Sequence, residues 1–235
     1  MATDALGESL AALARFLVGE VPLQDTLHRV TALAVTALPV ARMAGITMLD
    51  DAGRPLTAVF TDTEAPEIDR AQYDHGAGPC LEAFATDQVV RIDDTSTDPR
   101  WPNFASAAFD HGIRSTLSLP LRLTGSRPTG ALNLYAPTVD AFDDDDGATG
   151  LVFAEHAAVA LANVQAYWDL WTLTQTLTEA LESRAVIEQA KGIIIAQSRV
   201  DADEAFAILR RASQRENRKL REIAGELVAR HSMRA

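Results

Sequence analysis

The chain has 235 residues, 47% of them apolar and 23% charged, with a formal net charge of −12. That balance is globular rather than disordered, and the length suits one large domain or two smaller ones. With Cys80 as its single cysteine the chain excludes an intrachain disulfide framework, which fits a reducing cytoplasm.

In chain order, the acidic, amphipathic segment MATDALGESLAALARFLVGE lacks a basic leader and reads as a helix of the folded protein, not a signal peptide. Leu6, Leu10, Leu13 and Leu17 share one helical face. After a break at Gly19–Pro22, Leu27, Val30, Leu33 and Ala34 share another. The period then shortens. AGITMLD (44–50) and PLTAVF (55–60) flank a turn at Asp51–Arg54 and predict a hairpin. A loop holding Pro66 and Gly76–Pro79 follows, then a short helix at CLEAFATD, a strand at 88–94 and a short helix near 103–110. The stretch 74–113 reads as a polar, aromatic-containing loop region able to close over a pocket. RSTLSLPLRL (114–123) and GALNLYA (130–136) are the strongest strands. They form the expected central antiparallel pair across the turn Thr124–Thr129.

From about Asp143 the pattern is helical for a long way, and the long helix over about 148 to 198 is the expected connector. Leu170, Leu173, Leu177, Ala180, Arg184, Ile187, Lys191 and Ile194 fall near heptad spacing, and a two-stranded contact is expected near 165–182. Asp201 with Glu204 predicts the cap of a next helix, and Asn217 the cap of a last one. Phe206, Leu209, Leu220 and Leu227 read as core. No apolar stretch has the eighteen or so residues of a membrane span, so no membrane is expected.

Charge is unevenly spread. Residues 1–167 carry 10 basic and 23 acidic residues, whereas residues from Arg184 onward carry 11 basic and 7 acidic. The run RRASQRENRKLR (210–221) holds six basic residues and one acid. An acidic module joined to one that meets a polyanion is the expected organisation.

Enzyme signatures are missing. There is no GxxxxGK[ST], GxGxxG or HExxH, and His28, His75, His111, His156 and His231 lack metal-ligand spacing. No catalytic residue, metal site or cofactor is expected. Cys80 reads as a small buried residue at a helix start, the alternative being a thiol activated by the helix N-terminus. Asp143–Asp146 reads as acids favoured by a helix dipole rather than a calcium loop.

Residues 184–224, RAVIEQAKGIIIAQSRVDADEAFAILRRASQRENRKLREIA, resemble the ANTAR domain, an RNA-binding antiterminator module. GIRSTLSLPL, TGALNLYAP, WPNFASAAFDHG and GPCLEAF resemble, more weakly, the GAF domain, a signal-sensing α/β module. No phosphoreceiver pattern is present. The resemblance implies an α+β fold. It comprises a GAF-like sensor over 1–165 with a central antiparallel sheet flanked by helices, a helical connector over 166–182, and a three-helix ANTAR bundle over 183–235. It also implies a non-enzymatic cytoplasmic antiterminator that binds paired stem-loops in nascent transcripts and prevents a terminator hairpin from forming. The expected partners are RNA, a second copy in a homodimer, and an unidentified small molecule in the sensor. The sensor's alternative role is a dimerisation platform alone. A DNA-binding factor with a helix-turn-helix tail is the alternative function, and a GAF-type enzyme or interaction module a third.

The residue types suit RNA on their own account. Arg210, Ser213, Gln214 and Asn217 sit at i, i+3, i+4 and i+7, and Arg221 continues that face. Arg184 and Lys191 lie seven apart on one stripe, with Gln189 between them and with Ala190 and Gly192 small enough for close approach. Arg211 and Lys219 add phosphate charge. Glu188 is placed to pair with Arg184.

Overall fold

The computed structural model describes residues 2–15, 22–49, 54–61, 65–122 and 130–232. Leu17, the Asp51–Gly53 part of the predicted hairpin turn and the turn at Thr124–Thr129 lie outside these residues. The chain divides into two compact units, Met1–Trp168 and Asp169–Ala235.

The first unit contains α1 (Ala2–Ala14), α2 (Leu23–Ala37), β1 (Met43–Leu49), β2 (Pro55–Phe60), α3 (Ala65–His75), α4 (Pro79–Thr86), β3 (Val90–Ile92), α5 (Pro102–Asp110), β4 (Ser115–Leu121) and β5 (Gly130–Ala136). It ends within α6 (Asp144–Ser198). The sheet runs β2-β1-β5-β4-β3 with every neighbouring pair antiparallel. The predicted pair β4–β5 is formed, with Leu119 opposite Leu132.

Alternation along the strands gives the sheet two different faces. Ala44, Ile46, Leu117, Leu119, Leu121, Leu132, Leu134 and Ala136 join Leu13, Leu27, Val30 and Ala34 in one apolar core. Each fully buried leucine there contributes about 1.5–3 kcal/mol. Met43, Tyr135, Ile92 and Ile68 join Ala83, Trp101, Phe104 and Ile113 in a second core. The other residues of that second face, Thr47, Thr116, Ser118 and Asn133, are buried although polar. Gly130 sits where a Cβ would overlap the backbone carbonyl of Thr47 on β1, so close strand approach demands glycine.

Two expectations are corrected here. Residues 65–75 form the helix α3 rather than a loop, with Pro66 in its first turn, where proline is tolerated. Its single buried aliphatic, Ile68, gives too weak a periodic signal to read. The stretch 74–113 forms the expected short helix, strand and short helix as α4, β3 and α5, but it does not lie open as a loop region: Trp101 and Phe104 bury in the second core.

Helix α6 starts at Asp144, within a residue of the expected point. Asp146 N–H donates to Asp143 Oδ1 at 2.8 Å and Asp143 N–H donates to Asp146 Oδ2 at 3.1 Å. The acidic run is therefore a reciprocal helix cap built from aspartates. Contrary to the expectation that no stretch is long enough, α6 holds an eighteen-residue window of mean hydropathy 1.2, of which 44% is buried within the protein.

The second unit comprises the rest of α6, α7 (Ala202–Glu216) and α8 (Leu220–Ser232). Ala190, Ile194, Ala205, Leu209 and Ala224 form its core, with Ile187, Leu220, Ile223 and Leu227 packed against them. Asp201 caps α7 as expected, accepting from Glu204 N–H at 2.8 Å.

Candidate nucleic-acid interface

The buried positions of α7, Ala205 and Leu209, fix which side of that helix faces its own unit. Arg210, Arg211, Gln214 and Asn217 are consequently exposed, and Ser213 is half-buried. On α6, Arg184, Gln189 and Gly192 are exposed. Lys219 lies exposed between α7 and α8, and Arg221 is exposed on α8.

The cations divide into two groups. Lys191 Nζ lies 2.9 Å from Glu188 Oε1 and its side chain is only 17% exposed. Arg211 pairs with Glu204 at 2.7 Å and Arg221 with Glu179 at 3.4 Å. Arg218 is drawn to Glu226, Glu222 and Glu216. Its hydrogen bond to Glu226, followed by an opposing desolvation effect and then the charges of Glu226 and Glu222, leaves the guanidinium raised above its usual value. By contrast, Arg184, Arg199, Arg210 and Lys219 have no carboxylate within ion-pair distance among the described residues. Arg199 was not legible as a site residue. It follows the last residue of α6 in the left-handed conformation, at φ 55°.

Four sequence expectations change. Glu188 pairs with Lys191 at i+3, not with Arg184 at i−4. Ala190 is fully buried in the helical core, so its methyl is a packing group and does not face solvent. Phe206, expected in the core, is 40% exposed. Asn217 does not open α8. It closes α7 in the left-handed conformation at φ 49°, and Arg218 N–H donates to Ser213 O at 3.1 Å in a Schellman-type ending. Gly192 has no protein atom near the position of an added Cβ. Packing gives no reason for a glycine in mid-helix there, where it costs roughly 0.5–1 kcal/mol.

In the first unit, polar groups converge on Asp69 of α3, which is fully buried. Tyr135 OH donates to Asp69 Oδ1 at 2.5 Å, and Gln72 Nε2 donates to the same oxygen at 2.9 Å. Thr47 Oγ1 lies 2.7 Å from Tyr73 OH, and Asn133 Nδ2 donates to Thr47 Oγ1 at 3.2 Å. Gln72 Oε1 accepts from Cys80 N–H at 3.1 Å, and a Cβ on Gly78 would strike the Gln72 side chain. Burial, and then the charge of Asp69, push the Cys80 thiol up to about 12. The same two causes, in the same order, raise the Tyr135 phenol well above its usual range. Burial of the thiol and its raised value favour the small buried residue over the activated-thiol alternative for Cys80.

A groove of about 530 Å³ lies elsewhere on this unit, beside β3 and the start of α6. Its cations are internally matched: Arg91 meets Asp93 at 2.7 Å and Asp144 at 2.9 Å, and Arg100 meets Asp98 at 2.6 Å. Among the described residues, no group of three or more His, Cys, Asp or Glu side chains is placed to hold a metal ion.

The chain is a two-core α+β unit with a polar interior, followed by a helical unit with exposed cations. The sequence matches the GAF domain over residues 20–162 and the ANTAR domain over residues 175–228. The chain therefore belongs to the GAF family, with an ANTAR domain behind the GAF domain: a sensor domain followed by an RNA-binding antitermination-regulator domain. A search of the curated proteins returned no match.

Solved structures agree on the fold of the first unit. The free methionine-R-sulfoxide reductase of Neisseria meningitidis, in complex with its substrate, is 18% identical with a TM-score of 0.55, covering 71% of this chain and 91% of its own. The GAF domain of a phosphoenolpyruvate-protein phosphotransferase from Coxiella burnetii is 16% identical with a TM-score of 0.51, covering 70% and 96%. A further GAF domain structure is 16% identical with a TM-score of 0.55, covering 68% and 88%.

Proposed function

We propose that the protein is a transcription antiterminator that reads two stem-loops of a nascent transcript through its second unit and holds them against a competing terminator hairpin. The observation that carries this reading is the presence, on the unit that matches the ANTAR domain, of exposed cations without carboxylate partners, among them Arg184, Arg210 and Lys219. Phosphates meet these three groups without displacing an acid. Gln189, Gln214 and Asn217 supply amide donors and acceptors suited to base edges splayed out of a loop. Gly192 supplies a place for close approach. Lys191, Arg211 and Arg221 join after exchanging their carboxylates for phosphates.

The working boundaries are a sensor over 1–165, a connector over 166–182 and an RNA-binding domain over 183–235. A two-hairpin target calls for two copies of the reader. Leu170, Leu173, Leu177 and Leu181 lie 54–67% exposed at near-heptad spacing on α6, which suits a seam with a second copy of this chain. The buried polar layer around Asp69 is where a small-molecule signal would act, by favouring one of two arrangements of that network.

The test is a gel shift of the full chain with a two-hairpin RNA, against single-hairpin RNA and duplex DNA of equal length. Preference for the two-hairpin RNA, with a salt slope of roughly −0.7 to −0.9 per neutralised phosphate, is the expected result. Duplex DNA competing RNA away would assign the protein to the DNA-binding class instead.

A further inference from the structure

Phe206 is the one large apolar side chain of α7 that the fold leaves outside, at 40% exposure. Among the described residues one other phenylalanine is as exposed: Phe109, which is covered by the Arg114 guanidinium at 4.8 Å. Phe104, Phe142 and Phe153 are at most 3% exposed. The sequence pattern assigned Phe206 to the core, yet Ala205 and Leu209 take the buried positions and leave Phe206 about 100° round the helix from Ala205 and about 60° from Leu209.

That rotation puts the ring on the side of α7 that carries Arg210 at i+4 and Ser213 at i+7. Arg210 is exposed and has no carboxylate partner. Gln214, also exposed, lies about 80° round the helix from Phe206, whereas Arg211 and Arg215 project from the far side. Docking of a protein partner needs a contiguous apolar patch, and α7 and α8 offer no second exposed large apolar side chain. The other such side chains of this unit, Leu170 to Leu181 and Ile195, are on α6. A lone aromatic face bordered by the Arg210 guanidinium, with the Gln214 amide beyond it, is instead the make-up of a stacking platform for an unpaired base.

We infer that Phe206 is a base-stacking residue of the RNA site. It receives one unpaired loop base on its ring while Arg210 holds the adjoining phosphate. This rests on the proposed RNA-reading function. It adds a ring contact that is insensitive to salt, unlike every contact made by the cations.

The experiment uses the full chain carrying Phe206→Ala, Phe206→Leu or Phe206→Trp, with Arg210→Ala as the comparison. Binding to the two-hairpin RNA is measured across a salt series, and thermal melts check the fold. Phe206→Ala and Phe206→Leu are expected to weaken binding roughly ten- to a hundredfold without changing the salt slope. Phe206→Trp should bind within about threefold of the parent, with its indole fluorescence quenched by loop-containing RNA and not by a blunt duplex of the same stem. Arg210→Ala should lower the slope by about one phosphate. Full affinity of Phe206→Leu overturns the stacking role, as does loss of binding in Phe206→Trp with an unchanged melt. Loss of binding in Arg210→Ala with full affinity in all Phe206 variants sinks the stacking inference alone. Failure of the parent chain to bind any hairpin RNA sinks the underlying function as well.

Discussion

Ser213 Oγ donates to the backbone carbonyl of Arg218 at 2.5 Å, closing the turn between α7 and α8. Read from the sequence, Ser213 belongs to a row of RNA contacts; in the fold its hydroxyl satisfies a carbonyl beyond the helix end. Ser213→Ala should cost roughly 0.5–2 kcal/mol and lower the melting temperature of the chain. An unchanged melt would return the hydroxyl to RNA recognition.

Glu188 holds Lys191 Nζ at 2.9 and 3.0 Å through its two oxygens. A phosphate at Lys191 has to displace that carboxylate and then tolerate its charge. Glu188→Gln keeps helix propensity and shape. It should tighten RNA binding by up to about fivefold, the equivalent of a surface ion pair of roughly 0.2–1 kcal/mol. Weaker binding would mean that Glu188 positions Lys191 for RNA rather than competing with it.

Cys80 should be inert in the folded protein. Its thiol, held at about 12 by burial and then by Asp69, is protonated at neutral pH and has no solvent path. Labelling by a thiol reagent at about pH 8 is expected to wait for opening of the structure and to become rapid in denaturant. Native labelling as fast as that of the unfolded chain would refute the buried assignment.

Glu226 accepts from Arg218 and lies 3.2 Å from Arg230. Chiefly the Arg218 hydrogen bond, then its charge, hold the carboxyl below its usual 4.5. A depressed folded value means that this stabilisation is fully present above the unfolded value and is lost as pH falls through the folded one. The melting temperatures of the parent and Glu226→Gln should therefore differ most near neutral pH and converge as pH falls through the lowered folded value. A constant gap across that range would show that the pair contributes through shape alone.

Much of the fold was legible because its signals are periodic. Leu27, Val30 and Ala34 repeat at helical spacing and are all buried on α2. Leu117, Leu119 and Leu121 alternate on β4 and all enter one core. The polar half of that alternation was not legible. Thr116, Ser118 and Asn133 look like residues of a solvent face, and only the packing of α3, α4 and α5 over them reveals a second interior. In the second unit the residue types were readable and their orientations were not. Ala190 and Phe206 exchange their expected places because a single helical step of about 100° separates buried from exposed. Asn217 suits either end of a helix, and its left-handed backbone makes it an ending. Arg199 was missed because it stands alone after α6, outside any basic run.

Lys191 and Lys219 are the only lysines of the chain, and both fall in the second unit. Apart from the terminal amine, an amine-directed label or crosslinker therefore reports on the RNA-reading unit alone, leaving the whole sensor silent. The two amines should separate by rate, with exposed Lys219 reacting ahead of carboxylate-held Lys191. Protection of either amine on adding RNA would then report directly on the proposed RNA site.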